Sequence, residues 1–157
     1  MRPHLAVFGK ALANGLPLAA LVGERAVMDA ARRSWISSTL AGETVALAAA
    51  GAVLDRHARE DVCAAIARIG ERQRAIAQAA IDGAAVGDRV AVAGLAPMWL
   101  LRYADADRER RTVAALVRRG VLLKRGAYNF PSPAHDEAAL ARLADALPAS
   151  LAETAAS

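Results

Sequence analysis

Lys10 is the residue whose type and setting first suggest chemistry. It stands between two short apolar runs, residues 5–8 and 18–22, and it is one of only two lysines among twenty basic residues. A neutral lysine amine can attack a carbonyl and form a Schiff base, and apolar surroundings favour the neutral form because they penalise the charged one. Arginine cannot replace it because its guanidinium stays protonated. The alternative is an ordinary solvated lysine at the end of a strand.

The residues around this lysine predict a strand, a bend and a second strand. Gly9 leaves open space beside the lysine for a flat ligand, and the Asn14-Gly15 pair is a turn signal. The two apolar runs are short enough for strands, and we expect both to be buried. A short helix is predicted to follow over residues 24–32.

A second polar segment, residues 35–42, leads into a predicted helix over residues 43–59. Hydroxyl groups before a helix are well placed to bind an anion, because the helix dipole and the free N–H groups attract negative charge. Ser38 and Thr39 are therefore candidate phosphate ligands, with ordinary helix capping by Thr39 as the alternative. The helix is apolar on nearly all sides, which predicts that it is buried between structural units.

The amino-acid composition excludes several classes of function. The chain has 157 residues, of which 55% are hydrophobic and 23% charged, as expected for a soluble globular protein. Its net charge of +4 is spread along the sequence and only 4% of residues are aromatic, which argues against nucleic-acid binding. No apolar stretch is long enough to span a membrane, no metal-ligand spacing is present, and the single Cys63 excludes an intrachain disulfide. These features predict a cytoplasmic protein that contacts neither nucleic acid nor membrane.

The second half of the chain predicts alternating helices and strands. A long amphipathic helix ends at Asp82-Gly83, and two antiparallel strands fill residues 89–103. We then expect a helix over 107–119, a strand over 121–123 and a last helix over 136–147 that stops at Pro148.

The lysine segment resembles a known family. Residues 3–29, PHLAVFGKALANGLPLAALVGERAVMD, are similar to the lysine segment of class III, pyridoxal-phosphate-dependent aminotransferases, especially the glutamate-1-semialdehyde aminomutase-like branch. The Gly-Lys pair, the following glycine and proline, and the Met28-Asp29 pair all match, whereas His4 stands where the family has aspartate.

Two further segments extend the resemblance over nearly the whole chain. Residues 38–43, STLAGE, are similar to the family's phosphate-binding loop, with Ser38 in place of glycine. Residues 120–137, GVLLKRGAYNFPSPAHDE, are similar to the family's terminal strand, turn and final helix.

The resemblance implies an α/β fold, the C-terminal part of a fold-type I PLP-dependent transferase. It would comprise the end of the large domain and a small α+β domain with an antiparallel sheet. The implied boundaries are the remainder of the large PLP-binding domain at 1–42, a connecting helix at 43–59, the small domain at 60–148 and a frayed tail at 149–157.

The resemblance also implies residue roles. Lys10 would hold pyridoxal phosphate as a Schiff base and move a proton as general base and acid. Ser38 and Thr39 would bind the cofactor, and Thr39 would reach that of the partner subunit in a homodimer. Glu43 and Asn129 are candidates for the substrate side, although a glutamate at a helix start and an Asx turn explain them equally well.

The implied reaction transfers an amino group from a small-molecule donor to an oxo acceptor, or moves it within one molecule as an aminomutase, an isomerase, does. The family has most of its large domain upstream of the lysine, including the aspartate that binds the pyridine nitrogen, whereas only nine residues precede Lys10 here. We therefore expect a C-terminal fragment that is inactive alone. The alternative is a non-catalytic remnant that folds or dimerises as an α/β module.

Overall fold

A computed structural model describes residues 3–35 and 38–155, which form two compact units divided between Asp61 and Val62. The division falls two residues after the predicted boundary between residues 59 and 60. The assignment of these units to a large and a small domain stays a prediction. No helix in the described ranges is long and apolar enough to cross a membrane.

The first unit contains a two-stranded sheet and two helices. Its elements are β1 (Leu5–Phe8), a single 3-10 turn (Lys10–Leu12), β2 (Ala20–Gly23), α1 (Arg25–Ala31) and α2 (Thr44–Arg59). Strands β1 and β2 are antiparallel, and their register places Leu5 opposite Gly23 and Phe8 opposite Ala20. The predicted order of strand, bend, strand and helix is thus present, with β2 starting two residues later than expected.

The expectation that both strands are buried is wrong. Val7 is 72% exposed, Phe8 54% and Val22 47%. A two-stranded sheet beside one short helix has too few neighbours to cover both of its faces. The buried centre of this unit is small and consists of Ala13, Ala46 and Ala50.

The expectation of a fully buried α2 is also wrong. Only Ala46 and Ala50 are buried along this helix, because they face the 3-10 turn. Val45, Leu47 and Leu54 are each at least half exposed. The first unit therefore presents apolar side chains that nothing in the described chain covers.

The second unit packs three helices against a β-hairpin. Its elements are α3 (Val62–Gly83), β3 (Val90–Leu95), β4 (Met98–Tyr103), α4 (Ala106–Arg118) and α5 (Glu137–Glu153). The hairpin pairs Val90 with Tyr103 and Leu95 with Met98, so the turn predicted near Gly94 to Pro97 is present. Helix α5 packs against α3 and α4. The largest fully buried hydrophobic side chains are those of Trp99, Ile81, Leu116, Leu147 and Leu151.

The predicted strand over residues 121–123 is absent from the structure. Gly120, at φ +76, ends α4 in a left-handed turn, and the N–H of Val121 donates to the carbonyl of Leu116 at 2.9 Å. This closing pattern is the Schellman motif. The edge of β4 instead pairs with Asn129, whose N–H donates to the Trp99 carbonyl at 2.6 Å. Residues 121–123 therefore have no free strand to pair with.

The last helix does not stop at Pro148, and the frayed tail predicted at 149–157 is wrong for its described part. Helix α5 runs through Pro148 to Glu153. A proline inside a helix costs about 3 kcal/mol, but the following turn is anchored because Ser150 and Leu151 are buried. The carbonyl of Thr154 also accepts a hydrogen bond from the Arg108 guanidinium at 2.7 Å. Tertiary packing thus outweighs the local preference.

Tyr103, at the end of β4, is expected to make the folded chain less stable at alkaline pH. Burial raises the pKa of its hydroxyl to about 12, whereas an unfolded tyrosine ionises near about 10. The contribution of Tyr103 to the free energy of unfolding is therefore fully present below pH ~10. It is lost as the pH rises to ~12, and the loss is about 2–3 kcal/mol at most. Urea denaturation at successive pH values measures the loss. A Tyr103→Phe variant should not show this loss, and an unchanged alkaline loss in the variant would contradict the assignment.

Candidate functional site

Lys10 lies on a backbone bend with an unusual conformation. Gly9 is extended, and Lys10 then opens the 3-10 turn with φ +49. A non-glycine residue in this region costs on the order of 1–3 kcal/mol, and such residues concentrate at functional sites. The bend is fixed because the Leu12 N–H donates to the Gly9 carbonyl at 3.1 Å and Ala13 is buried against α2.

The side chain of Lys10 is exposed. The expected convergence of apolar segments around it is not present in this chain, because β1 and β2 leave their apolar side chains open to solvent. With residues 3–35 and 38–155, the Lys10 amine forms no hydrogen bond or ion pair. Lys10 lines neither of the two cavities described in the second unit. Within the described part of the chain, the amine is therefore exposed and unpaired.

Ser38 and Thr39 lie in two consecutive turns just before α2. The Ala41 N–H donates to the Ser38 carbonyl at 3.1 Å, and the Glu43 N–H donates to the Leu40 carbonyl at 3.2 Å. Both hydroxyl-bearing residues are exposed, and their hydroxyls bond to no described residue. The alternative that Thr39 caps the helix is wrong, because another residue fills that position.

That residue is Glu43. Its carboxylate accepts hydrogen bonds from the N–H groups of Val45 at 2.9 Å and Ala46 at 2.6 Å. A carboxylate at this place satisfies two free helix donors and complements the dipole. The structure thus supports the helix-start interpretation of Glu43. The substrate role stays a prediction.

Removing the cap should weaken the first unit. Glu43→Ala leaves two N–H groups without acceptors and is expected to lower the free energy of unfolding by about 1 kcal/mol. Glu43→Ser supplies another capping oxygen and should lose much less. Denaturation followed by circular dichroism measures both variants. Equal loss in the two would show that capping is not the role of Glu43.

Asn129 lies in the second unit, where its side chain joins two segments. Its Oδ1 accepts from the Lys124 N–H at 2.8 Å, and its Nδ2 donates to the Trp99 carbonyl at 3.4 Å. An Asx turn would instead bond a residue that follows, so that interpretation is wrong. Both polar atoms are engaged by the protein, and its role towards substrate stays a prediction.

Two segments of the predicted site adjoin the same helix, α2. The Lys10 turn packs against α2, and Ser38 and Thr39 immediately precede that helix. Asn129 belongs to the other compact unit. Within the described ranges, no three His, Cys, Asp or Glu side chains come together as a metal site. Sequence reasoning missed one polar contact: Gln73 hydrogen-bonds Trp99 in the wall of a cavity. The feature that could have indicated it is a polar residue on the otherwise apolar inner face of α3.

Comparison with known proteins gives consistent matches. Residues 1–130 match the family model described as "Aminotransferase class-III". The chain is 34% identical over 154 residues to the 2'-deamino-2'-hydroxyneamine transaminase of Streptomyces kanamyceticus, covering 94% of this chain and 38% of that protein. It is 29% identical over 124 residues to the 5-aminovalerate aminotransferase DavT of Pseudomonas aeruginosa, covering 78% of this chain and 28% of that protein.

Solved structures give the same match. The FumI protein of a Sphingopyxis species, in its PLP internal aldimine form, superposes with a TM-score of 0.88 and 25% identity, covering 98% of this chain and 37% of that one. The ornithine aminotransferase of Toxoplasma gondii superposes with a TM-score of 0.81 and 22% identity, covering 98% and 37%. The chain therefore spans less than two fifths of the length of these relatives.

Proposed function

Because the chain belongs to the class-III aminotransferase family, we propose that it is the lysine-bearing C-terminal portion of a pyridoxal-phosphate-dependent aminotransferase. The proposal rests on one observation: Lys10 stands on a fixed left-handed bend with its amine unpaired among the described residues. An ion pair would hold the amine in its charged form, whereas imine formation requires the neutral form. The substrates of this family are a small-molecule amino donor and an oxo acceptor.

The residues present fit pyridoxal phosphate. Lys10 offers a primary amine to an aldehyde, and Gly9 beside it has no side chain. A Cβ at Gly9 would meet only ordinary contacts, with the Leu18 carbonyl oxygen at 3.7 Å and Ala19 Cβ at 3.9 Å. Internal packing therefore does not require glycine there, which supports a need for open space on the ligand side. The unbonded hydroxyls of Ser38 and Thr39 are suited to phosphate oxygens.

Bound pyridoxal phosphate supplies an electron sink that stabilises negative charge at the substrate α-carbon. The residues of this chain then have only to bind the cofactor and transfer a proton. Lys10 Nζ would hold the cofactor, and after release it would take a proton from the substrate α-carbon as general base and deliver it as general acid to the cofactor carbon to which the lysine had been attached. Ser38 and Thr39 donate hydrogen bonds to phosphate, and Thr39 serves the cofactor of a second copy in a homodimer. Glu43 and Asn129 would line the substrate side, and each keeps hydrogen-bonding capacity beyond its present bonds.

The rest of the enzyme is supplied by polypeptide that corresponds to the other three fifths of the relatives. Two observations support this part of the proposal. The chain covers 38% of the Streptomyces transaminase, and the first unit exposes apolar side chains that include Val7, Phe8, Val22 and Leu47. Val7 lies on the opposite face of the sheet from Phe8 and Val22, and large exposed apolar side chains on both faces indicate surfaces that another polypeptide covers. We expect that polypeptide to bring the aspartate for the pyridine nitrogen and to shield Lys10 from water.

Two finer alternatives remain within the proposal. The similarity of residues 3–29 to the aminomutase-like branch favours transfer within one molecule, whereas the names of the relatives favour transfer between two. A non-catalytic remnant is the second candidate function. The exposure of Lys10 in the chain as it stands is the observation that favours it.

Reconstitution tests the proposal. The full chain is mixed with a polypeptide that carries the N-terminal three fifths of a class III aminotransferase, and amino transfer to an oxo acid is measured with pyridoxal phosphate present. Activity in the mixture and not in either part supports the proposal. Association without cofactor binding or activity would favour the remnant. Reading the genomic DNA upstream of the Met1 codon shows directly whether an open frame encodes the remaining portion.

A further inference from the structure

The second unit contains a cavity of about 570 Å³ in which the proposed roles of Lys10, Ser38 and Thr39 play no part, although the substrate-side candidate Asn129 lies in its wall. It lies between α3, α5 and the segment after α4, and small-molecule sites commonly have about 300–1,000 Å³. Its walls include Val121, Leu123, Phe130 and Leu143 on the apolar side. Its polar lining comes from Gln73, Asn129, His135, Asp136 and Arg142, of which Asn129 already bonds the Lys124 N–H and the Trp99 carbonyl.

Gln73 is the polar group that points to a ligand. Its side chain is only 5% exposed, and its Oε1 accepts from Trp99 Nε1 at 2.9 Å. An indole nitrogen can only donate, so the amide oxygen must face Trp99 and the two hydrogens on Nε2 must point elsewhere. Nε2 has no partner among residues 3–35 and 38–155. The two hydrogens on Nε2 are therefore available to an acceptor in the cavity that Gln73 lines.

The other polar groups around the cavity are also mainly donors. His135 Nδ1 accepts from the Ser132 N–H at 3.0 Å, which leaves the proton of the neutral ring on Nε2. The N–H of Ala138, in the first turn of α5, has no acceptor in the described chain, because Asp136 caps Ala139 instead. Arg142 is exposed at the edge, with its Nη1 3.4 Å from where a Cβ of Gly120 would lie. The cavity therefore offers an excess of donors to an acceptor-rich ligand.

The charges set the class of ligand. Arg142 forms no ion pair with any described residue, and the carboxylate of Asp136 is the one acidic group in the lining. Because the Asp136 carboxylate already caps α5 through the Ala139 N–H and Arg142 has no ion pair among the described residues, a single negative charge is favoured beside Arg142, whereas Asp136 would repel a second one. The apolar wall requires a hydrocarbon body. We infer that this cavity binds a small organic monocarboxylate with an apolar body, held by Gln73 Nε2 and the Arg142 guanidinium.

Nuclear magnetic resonance of the full chain tests the inference, with hexanoate as the probe. The chain has two tryptophans, so its two indole N–H signals serve as reporter and control. Trp99 lines the cavity, whereas Trp35 is 93% exposed. Hexanoate should shift the Trp99 indole and Gln73 amide signals saturably and leave the Trp35 signal in place. Hexylammonium and inorganic phosphate should bind at least tenfold more weakly.

Variants separate binding from folding and from the Lys10 site. Arg142→Gln should weaken hexanoate binding at least fivefold, whereas Arg102→Gln, an exposed arginine outside the cavity, should not change it. Gln73→Glu keeps an acceptor for Trp99 but replaces the free donors with charge, and it should abolish binding. Lys10→Ala should bind hexanoate normally, so failure of the aminotransferase proposal leaves this result intact. No saturable shift, equal binding of phosphate, or unchanged binding by Arg142→Gln would overturn the inference.

Discussion

Replacing Lys10 by arginine is expected to abolish the selective covalent labelling of the chain by pyridoxal phosphate and borohydride, which should fall on Lys10. The reagent traps an imine by reducing it to a stable secondary amine, and only a neutral primary amine forms that imine. Arginine preserves the positive charge but stays protonated. The variant therefore separates imine chemistry from simple attraction of the phosphate group. Peptide mass spectrometry locates the label.

The matched control is Lys124→Arg. Lys124 is the other lysine of the chain and is likewise exposed, so it reports non-selective modification. Labelling of the parent chain should fall on Lys10, and Lys124→Arg should leave it unchanged. Equal labelling of both lysines, in the presence of the complementary polypeptide, would show that the bend gives Lys10 no special reactivity.

Lys10→Arg should also lower the rate of amino transfer strongly in the reconstituted enzyme. Loss of a positioned general base and acid lowers rates by about 10²- to 10⁴-fold, and loss of the covalent attachment adds to this. Lys10→Ala should recover part of the rate when a small primary amine such as methylamine is added, because that amine can take over the proton transfer. The measurement is the rate of amino transfer under saturating substrates. A variant with near-parent rate would remove Lys10 from the mechanism.

Much of the fold could be predicted from apolar periodicity and turn residues. The helix α2 and the hairpin β3–β4 were located within one or two residues, because each has a continuous local signal. The predicted fold class is confirmed: the chain adopts the C-terminal part of the fold-type I PLP-dependent transferase fold. The resemblance to class III aminotransferases is likewise confirmed at the level of the family.

The predictions that were wrong concern features that depend on contacts with other segments rather than on local sequence. Apolar runs predict burial, but β1 and β2 stay exposed because burial needs covering polypeptide. Pro148 predicts a helix end, but packing of Leu151 keeps α5 intact beyond it. A pattern along one segment contains no information about which surface another segment will cover.

The candidate site divides in the same way. Lys10 could be predicted from the sequence as the candidate for imine chemistry, because that chemistry requires a lysine. Its left-handed backbone and the capping role of Glu43 required coordinates. The cavity lined by Gln73 and Arg142 was not foreseen, because its donors come from α3 and α5, which are distant in sequence.

The second large effect concerns Gly70, which is buried on the inner face of α3. A Cβ at this position would overlap the backbone carbonyl of Ala96 in the hairpin turn and lie 3.1 Å from Pro131 Cγ. A backbone carbonyl cannot rotate away as a side chain can, so either α3 or the hairpin must move. Overpacking of this kind costs about 1–3 kcal/mol, and that exceeds the gain of up to about 1 kcal/mol from replacing glycine by alanine in a helix.

Gly70→Ala should therefore lower the free energy of unfolding, measured by urea denaturation with Trp99 fluorescence as the signal. Gly83→Ala is the matched control in the same helix, because no atom lies within 4 Å of its added Cβ. With no clash to offset the gain in helix propensity, the control should be neutral or slightly more stable. The two variants add the same methyl group, so their difference isolates the contact with Ala96. If Gly70→Ala were as stable as Gly83→Ala, the close approach of α3 to the β3–β4 turn would be wrong, and with it the wall of the cavity that Gln73 and Trp99 share.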